Sequence, residues 1–499
     1  READHAYPLY GSPVEPPQKN TARSPGVSDP AAEEALTTLC KTRNEENLHC
    51  APEHVDVAVI GAGAAGLMCA IQAARILRTA SAGSIDADKN SPPRIVALDG
   101  ARTLGAKILV AGGGRCNVTH DVVDESAYAG SSRNAVRKVL RAFGVEETVE
   151  FFRRLGVELK REETGKLFPA DDSARPVLDA LLRAARESGV ELRHPWRVES
   201  VEPRTDGLLI CPGKPDPSAR PILARAAVLA TGGRSLPKTG SDGHGYAIAQ
   251  ALGHTTTERT FPALVPLVID VNKTFLTALS GVTAESELAV LSSTGKKLAS
   301  FTGPLLLTHF GLSGPAALDI SRYFTQARAD DPGARLVIHF APGRTFEEVE
   351  RWFLASPGSA DARVSVMRRL QEDAGLAERL ARALCEQAGI EPGTNARTLS
   401  KDARRTLVHL VTACDAHVVG DRGFTHAEVT AGGLPLGQLR LETMQSRLEP
   451  RLFVCGEVCD VDGRIGGYNF QWAWSSGTVA GRGVASFLRG SPGPRSPDG

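Results

Sequence analysis

The feature that most constrains this chain is a glycine-rich turn placed directly after a short apolar run. Val55–Ile60 reads VDVAVI, the pattern of a strand buried on both faces, and it leads into Gly61-Ala-Gly-Ala-Ala-Gly66 and then Leu67–Arg78, which has helical character. The glycines permit a tight turn, close approach of backbone to a pyrophosphate, and close packing of helix on strand. The helix N-terminus adds free N–H groups and the positive end of its dipole. Gly61, Gly63, Ala64, Ala65 and Gly66 are therefore expected around the phosphates of a dinucleotide. Thr79–Pro93 is polar, lacks an apolar period and reads as an extended surface loop; Arg94–Leu98 (RIVAL) restores a second strand ending at Asp99. Ribose recognition calls for an acid ~20 residues past the glycines. Asp86 and Asp88 fall near that spacing but inside the polar stretch. Asp99 ends a strand, where the nucleotide crevice lies, and is the expected ribose ligand.

Three further segments carry backbone-rich chemistry. In Gly105-Ala-Lys-Ile-Leu-Val-Ala-Gly-Gly-Gly-Arg-Cys-Asn117, the successive Gly112, Gly113 and Gly114 are suited to an anion-binding nest or to close passage over a flat ring, and Lys107 and Arg115 add positive charge. Cys116 is read as a packing or non-covalent contact rather than a covalent flavin anchor, and Asn117 closes the word. After the AAVLA strand at 226–230, Thr231 and Gly232 bring another turn towards the cofactor, and Val198, in an expected strand, offers its backbone to an adenine. Near the C-terminus, LFVC is followed by Gly456 and Glu457, then by Gly466, Gly467, Tyr468 and Asn469 at the start of a helix. In a flavoenzyme the acid binds the ribityl chain. The helix directs its positive end at the ring edge that gains negative charge on reduction. A dehydrogenase using nicotinamide alone has no use for this second arm, so FAD is the expected cofactor. No second glycine-rich βαβ word exists, and NAD(P)H is expected only as a transient electron donor.

The 499 residues suffice for several domains. Residues 1–53 and 489–499 read as disordered tails. Residues 134–161 and 174–188 look helical and Val190–Val201 strand-like. Between about Thr256 and Phe340 the pattern shifts to short β runs, then from Thr345 to Cys414 to helical period. The expected fold class is α/β, with a discontinuous Rossmann-type FAD-binding domain (54–253 and 425–488), an inserted β-rich domain (254–344) and a helical subdomain (345–424). The 58 basic and 58 acidic residues cancel, which removes any whole-chain field for nucleic acid or anionic membrane. No apolar run of ~18 residues suggests a membrane span. The nine cysteines are odd in number and irregularly spaced, and Cys455 and Cys459 lack zinc-ribbon spacing, so no metal is expected. Buried thiols lead to the expectation of a reducing compartment such as the cytoplasm, with an organelle left open because the chain begins at Arg1 rather than Met. Nothing in the sequence indicates an oligomeric state.

The words VIGAGAAGL, GAKILVAGGGRCNVTH, ATGGRSLPKTGSDGHGY, PALVPL, LLLTHFGLSGPAALDIS, VTAGGLPLGQLRLETMQSRL and GEVCDVDGRIGGYNFQWAWSSGTVAG occur in this order between Val55 and Leu488. The chain thereby resembles the BaiN/RdsA family of NAD(P)/FAD-dependent oxidoreductases, which includes aminoacetone oxidase-like proteins. The resemblance implies an FAD domain split by an insertion. It departs at the N-terminal tail, at Thr79–Pro93, and at Leu236, where an aromatic is expected.

The expected function is hydride transfer through flavin N5, in an NAD(P)H-linked reductase of a small organic substrate. The alternatives are an amine or aminoketone oxidase using O2, and an RNA-modifying flavoprotein. The basic residues Arg133, Arg137, Lys138, Arg141, Arg153 and Arg154 are read as a solvated helical face, so no nucleic-acid partner is expected. His309 and Tyr468 could donate protons but read more readily as structural hydrogen-bonders, and no catalytic residue is assigned. The Thr308–Pro315 word is expected to line the substrate cleft from the inserted lobe.

Overall fold

Five strands form the parallel heart of the first lobe: β1 (Glu53–Ile60), β2 (Ile95–Leu98), β3 (Val190–Arg193), β4 (Ile222–Leu229) and β5 (Leu452–Val454). They lie in the order β3-β2-β1-β4-β5, each parallel to its neighbour. Their near-continuous apolar runs suit burial on both faces: Val57, Ala58, Val59, Val96, Ala97, Val228 and Phe453 are fully buried. This computed structural model describes residues 51–81, 92–213, 219–354 and 364–490, and those from Pro52 onward belong to one compact unit. Most of both terminal tails, Asp86, Asp88 and most of the 79–93 stretch lie outside the described residues.

Helix α1 (Ala64–Ser81) joins β1 to β2, and helix α2 (Tyr468–Gly490) follows β5 and packs on α1. The helix α1 continues through Thr79–Ser81, which the polar composition had suggested as loop. Strand order reverses between β1 and β4, and there a crevice opens beyond the strand ends. Gly61 closes β1 at φ +100°, and a Cβ on it would fall 2.4 Å from the Ala230 carbonyl oxygen at the end of β4. Two other expectations change in detail. Residues 134–161 form helices Arg133–Ala142 and Val145–Arg154 and then a strand, because Phe143 turns extended and Gly144 starts the next helix with its N–H bonded to Glu147. Val190–Val201 is two strands, interrupted at His194–Pro195, where proline cannot donate to a ladder.

The second lobe is a seven-stranded antiparallel sheet, in spatial order Cys414–Asp415, Arg335–His339, Thr283–Leu291, Lys297–Thr308, Gly311–Ser313, Leu267–Ile269 and Val418–Asp421. The expected division at 344/345 is not a boundary here. Phe353, Leu380 and Leu384 from the helical part share one core with Leu288 and Ile338 of the sheet, and the last two strands of the helical part join that sheet. Helices of 6 to 13 residues cannot hold themselves in water and lay their apolar faces on the sheet. The chain passes between the lobes through a two-stranded antiparallel ribbon, Phe261–Ala263 against Val429–Ala431.

Candidate active site

A cleft of about 900 Å³ occupies the switch point and is walled by all four glycine-rich segments. From the first, Gly61, Gly63, Ala64 and Ala65 line it at the N-terminus of α1. Gly66 stands behind, where a Cβ would strike the Gly61 carbonyl oxygen, so its place is in helix–strand packing. Asp99 lines the cleft from the end of β2. Its Oδ2 accepts from the Ala62 N–H at 2.9 Å and its Oδ1 from the Ala101 N–H at 2.8 Å. Burial raises its carboxyl above the ordinary value, and these two N–H groups oppose the rise.

From the second segment come Lys107, Gly112, Gly113, Arg115 and Asn117. Gly112, Gly113 and Gly114 are all left-handed, at φ 59°, 69° and 87°. Gly114 and Cys116 do not line the cleft, which departs from expectation. The Gly114 carbonyl instead receives the Ala174 N–H at 2.9 Å. The Cys116 thiol is fully buried, and burial pushes it up to about 12, so it is neither exposed nor an activated nucleophile. Arg115 stacks 4.0 Å over the Phe168 ring and pairs with Glu162 at 2.7 Å.

Val198, Thr231 and Gly232 form the third wall. Leu236, the position where an aromatic was expected, also lines the cleft in the left-handed region, its N–H bonded to the Phe424 carbonyl. The fourth wall is Gly456, Glu457, Gly467 and Asn469. Glu457 is held by Lys107, by the Ser235 hydroxyl at 2.8 Å and by the Thr430 N–H at 3.0 Å. Asn469 reaches back to bond both the N–H and the carbonyl of Gly463. Tyr468 turns away from the cleft, stacked on His120 at 5.0 Å and edge-on to Tyr128. Its carbonyl receives the Tyr128 hydroxyl at 2.8 Å.

Two cleft residues carry buried polar atoms without partners: Asn117 Oδ1 and Thr231 Oγ1. Such atoms cost free energy unless a bound molecule satisfies them. Together with two helix N-termini and a carboxylate at the end of β2, they fit a bound dinucleotide.

The cleft also gathers residues given no role in the sequence: Leu264, Arg464 and Ile465 from within the quoted words, and Lys166, Phe168 and Glu428 from outside them. Asp319, on helix Pro315–Asp330 of the second lobe, fastens this side. It accepts from the Ile465 N–H at 2.8 Å and pairs with Arg464 at 3.2 Å. Arg322 on the same helix pairs with the buried Asp462 at 2.6 Å. The Thr308–Pro315 word does not line the cleft. His309 and Phe310 form the two-residue turn of a hairpin in which Thr308 pairs with Gly311, and His309 is exposed. A glycine-rich word here serves a tight turn and a helix start.

The HI0933-like protein Rossmann domain matches residues 55–483. A 3-dehydro-bile acid delta(4,6)-reductase of Clostridium scindens is 32% identical over 432 residues, 86% of this chain and 98% of that protein. Ribosomal RNA dihydrouridine synthases of Escherichia coli and Haemophilus influenzae are 32% and 30% identical, over 85% and 84% of this chain and 96% and 95% of theirs. With a family match across the whole cleft-bearing region and relatives of this extent, the chain belongs to the HI0933-like Rossmann family, the BaiN/RdsA-type FAD-dependent oxidoreductases.

Proposed function

We propose that FAD lies along this cleft and that the enzyme is an NAD(P)H-linked reductase of a small organic substrate bearing a C=C bond conjugated to a carbonyl. The observation that carries the reading is the convergence of the α1 and α2 N-termini on one cleft in which Asn117 Oδ1 and Thr231 Oγ1 lack partners. When bound, the cofactor would supply hydride transfer through its N5. Gly61, Gly63, Ala64 and Ala65 would hold the pyrophosphate, Asp99 the adenosine ribose and Val198 the adenine. Glu457, fixed by Lys107 and Ser235, would hold the ribityl chain. Gly112, Gly113, Asn117, Gly467 and Asn469 would surround the ring, with the α2 dipole favouring negative charge there.

The substrate class is supported by the relatives, named as a delta(4,6)-reductase and as dihydrouridine synthases, since both names describe hydrogenation of a ring double bond. A small molecule is preferred over RNA because the basic helical residues are largely neutralised. Arg137 pairs with Glu125, Lys138 with Glu442, and Arg153 and Arg154 with Glu150. Among the described residues no helix is long and apolar enough to cross a membrane.

The test is anaerobic reduction of the purified flavoprotein by NADH, NADPH or an amine, followed in separate arms by a cyclic enone, a uridine-containing ribosomal RNA fragment, and air. Fast reoxidation by the enone supports the reading. Preference for the RNA replaces the substrate, and fast reoxidation by air alone, after reduction by an amine, replaces the reductase with an oxidase.

A further inference from the structure

We propose that Glu428 is the proton donor to the substrate, delivering H+ to the carbon next to the carbonyl as the conjugated C=C bond is reduced. This rests on the reductase reading above.

The acids in the cleft differ in what they are free to do. Four carboxyl groups line it: Asp99, Asp242, Glu428 and Glu457. Asp99 is spent on two backbone N–H groups, Asp242 pairs with Arg197 at 2.7 Å, and Glu457 is locked by Lys107, Ser235 and Thr430. Among the described residues the Glu428 carboxyl has no hydrogen-bond or ion-pair partner. No tyrosine or cysteine lines the cleft, and the one histidine there, His244, bonds the Glu199 carbonyl at 2.8 Å.

The backbone of Glu428 is fixed while its side chain is left free. Its N–H donates to the Leu264 carbonyl at 3.2 Å and its carbonyl accepts from the Ser235 hydroxyl at 3.3 Å. It sits one residue before the inter-lobe ribbon, where the two lobes meet the cleft. The charged groups facing it are Lys107, Lys166 and Asp319. Lys166 and Asp319 flank the start of α2. The Lys166 Cε stands 3.6 Å from where a Gly466 Cβ would be, and Asp319 holds the Ile465 N–H. Glu428 therefore serves the end of the cleft where the ring is placed, while Asp99 serves the nucleotide end.

Glu428 is exposed, and its side chain lines the cleft, where water reaches it. Desolvation by the surrounding protein raises its carboxyl, and the two lysines oppose the rise. A bound substrate would displace that water and extend the effect. The stoichiometry is closed. One hydride from reduced flavin, recharged by NAD(P)H, adds to the far carbon of the double bond. Glu428 gives H+ to the near carbon, and the carboxylate recovers H+ from water after product leaves.

The experiment compares wild type, Glu428→Gln and Lys166→Met by stopped flow. Flavin reduction by NADPH and reoxidation by cyclohex-2-enone and a steroid 4-en-3-one are measured as separate steps. The expected result for Glu428→Gln is a fall of roughly 10²–10⁴-fold in the reoxidation step relative to the reduction step, the range of general acid catalysis. The wild-type reoxidation rate should fall with rising pH, and the variant's should be flat. A readout independent of turnover is the 13C carboxyl resonance that disappears in Glu428→Gln, expected to report a protonated group at higher pH than a free glutamate. Equal losses in both steps, a variant within threefold of wild type, or a resonance titrating like free glutamate overturns the assignment alone. A flat pH profile in Lys166→Met with a normal one in Glu428→Gln moves the role to Lys166. A wild-type flavoprotein that reduces neither probe overturns the reductase reading and this assignment with it.

Discussion

Gly477 on α2 lies directly against the Ala65 carbonyl oxygen at the start of α1: a Cβ on Gly477 would come within 2.5 Å of it. One turn on, Gly481 meets the Cys69 carbonyl in the same way, at 2.6 Å. The crossing of these helices brings the two ends of the chain to the same cleft, because Ala65 and the first turn of α2 both line it. Gly477→Ala should therefore destabilise the chain by about 1–3 kcal/mol through overpacking, in spite of alanine's better helix propensity. Retained flavin should fall with it. Urea unfolding and the flavin-to-protein absorbance ratio measure the two effects, and an unchanged midpoint would show that the crossing can give.

Asn117→Ala should separate stability from binding. It removes a buried acceptor that has no partner, so the cofactor-free chain should keep its stability to within about 1 kcal/mol. FAD affinity should drop about tenfold, the worth of one hydrogen bond of roughly 1–1.5 kcal/mol. Thermal unfolding of the apoprotein and fluorescence titration with FAD test both halves.

Asp99→Ala should weaken FAD binding by about 1.5–3 kcal/mol, the range for a hydrogen bond to a charged group. It also strips partners from the Ala62 and Ala101 N–H groups, so the apoprotein should lose stability as well. Titration of FAD into this variant, with Asp86→Ala and Asp88→Ala as comparison, distinguishes the strand-end acid from those in the polar stretch. Loss of flavin in Asp86→Ala alone would place the ribose elsewhere.

Asp462 gives a pH-dependent prediction. Burial pushes its carboxyl up to about 6 although Arg322 opposes this. The folded state thus holds this proton more tightly than the unfolded chain does. The associated stability is fully present below about 4 and is lost as pH rises through about 6, with a size on the order of 3 kcal/mol. Asp462→Asn should flatten this part of the profile when unfolding free energy is measured from pH 4 to 7. Identical slopes in both proteins would show that Asp462 is ionised throughout.

The parts of the site legible in sequence are those whose chemistry acts through neighbours along the chain. The turn Gly61–Gly66 follows its strand, and Asp99 ends the next, so spacing and pattern suffice. Gly112–Asn117 and Gly456–Asn469 are legible for the same reason, although pattern alone does not separate residues that face the cleft from those that support it. Cys116 and Tyr468 have the right neighbours and the wrong direction. Glu428 and Lys166 sit in no distinctive word and become functional candidates only when the ribbon and the strand Lys166–Pro169 bring them to the start of α2. The His309 word misleads because glycines needed for a hairpin look like those needed for a ligand. In the second lobe, the β runs and helical periods are visible, but their shared core depends on contacts far apart in sequence.

The ribbon of Phe261–Ala263 and Val429–Ala431 means that the second lobe is spliced into the chain at a single seam. Entry and exit lie side by side, so the chain leaves the strand order β3-β2-β1-β4-β5 and returns to it without interrupting it. Glu428, one residue ahead of Val429, stands on the lobe's side of that seam.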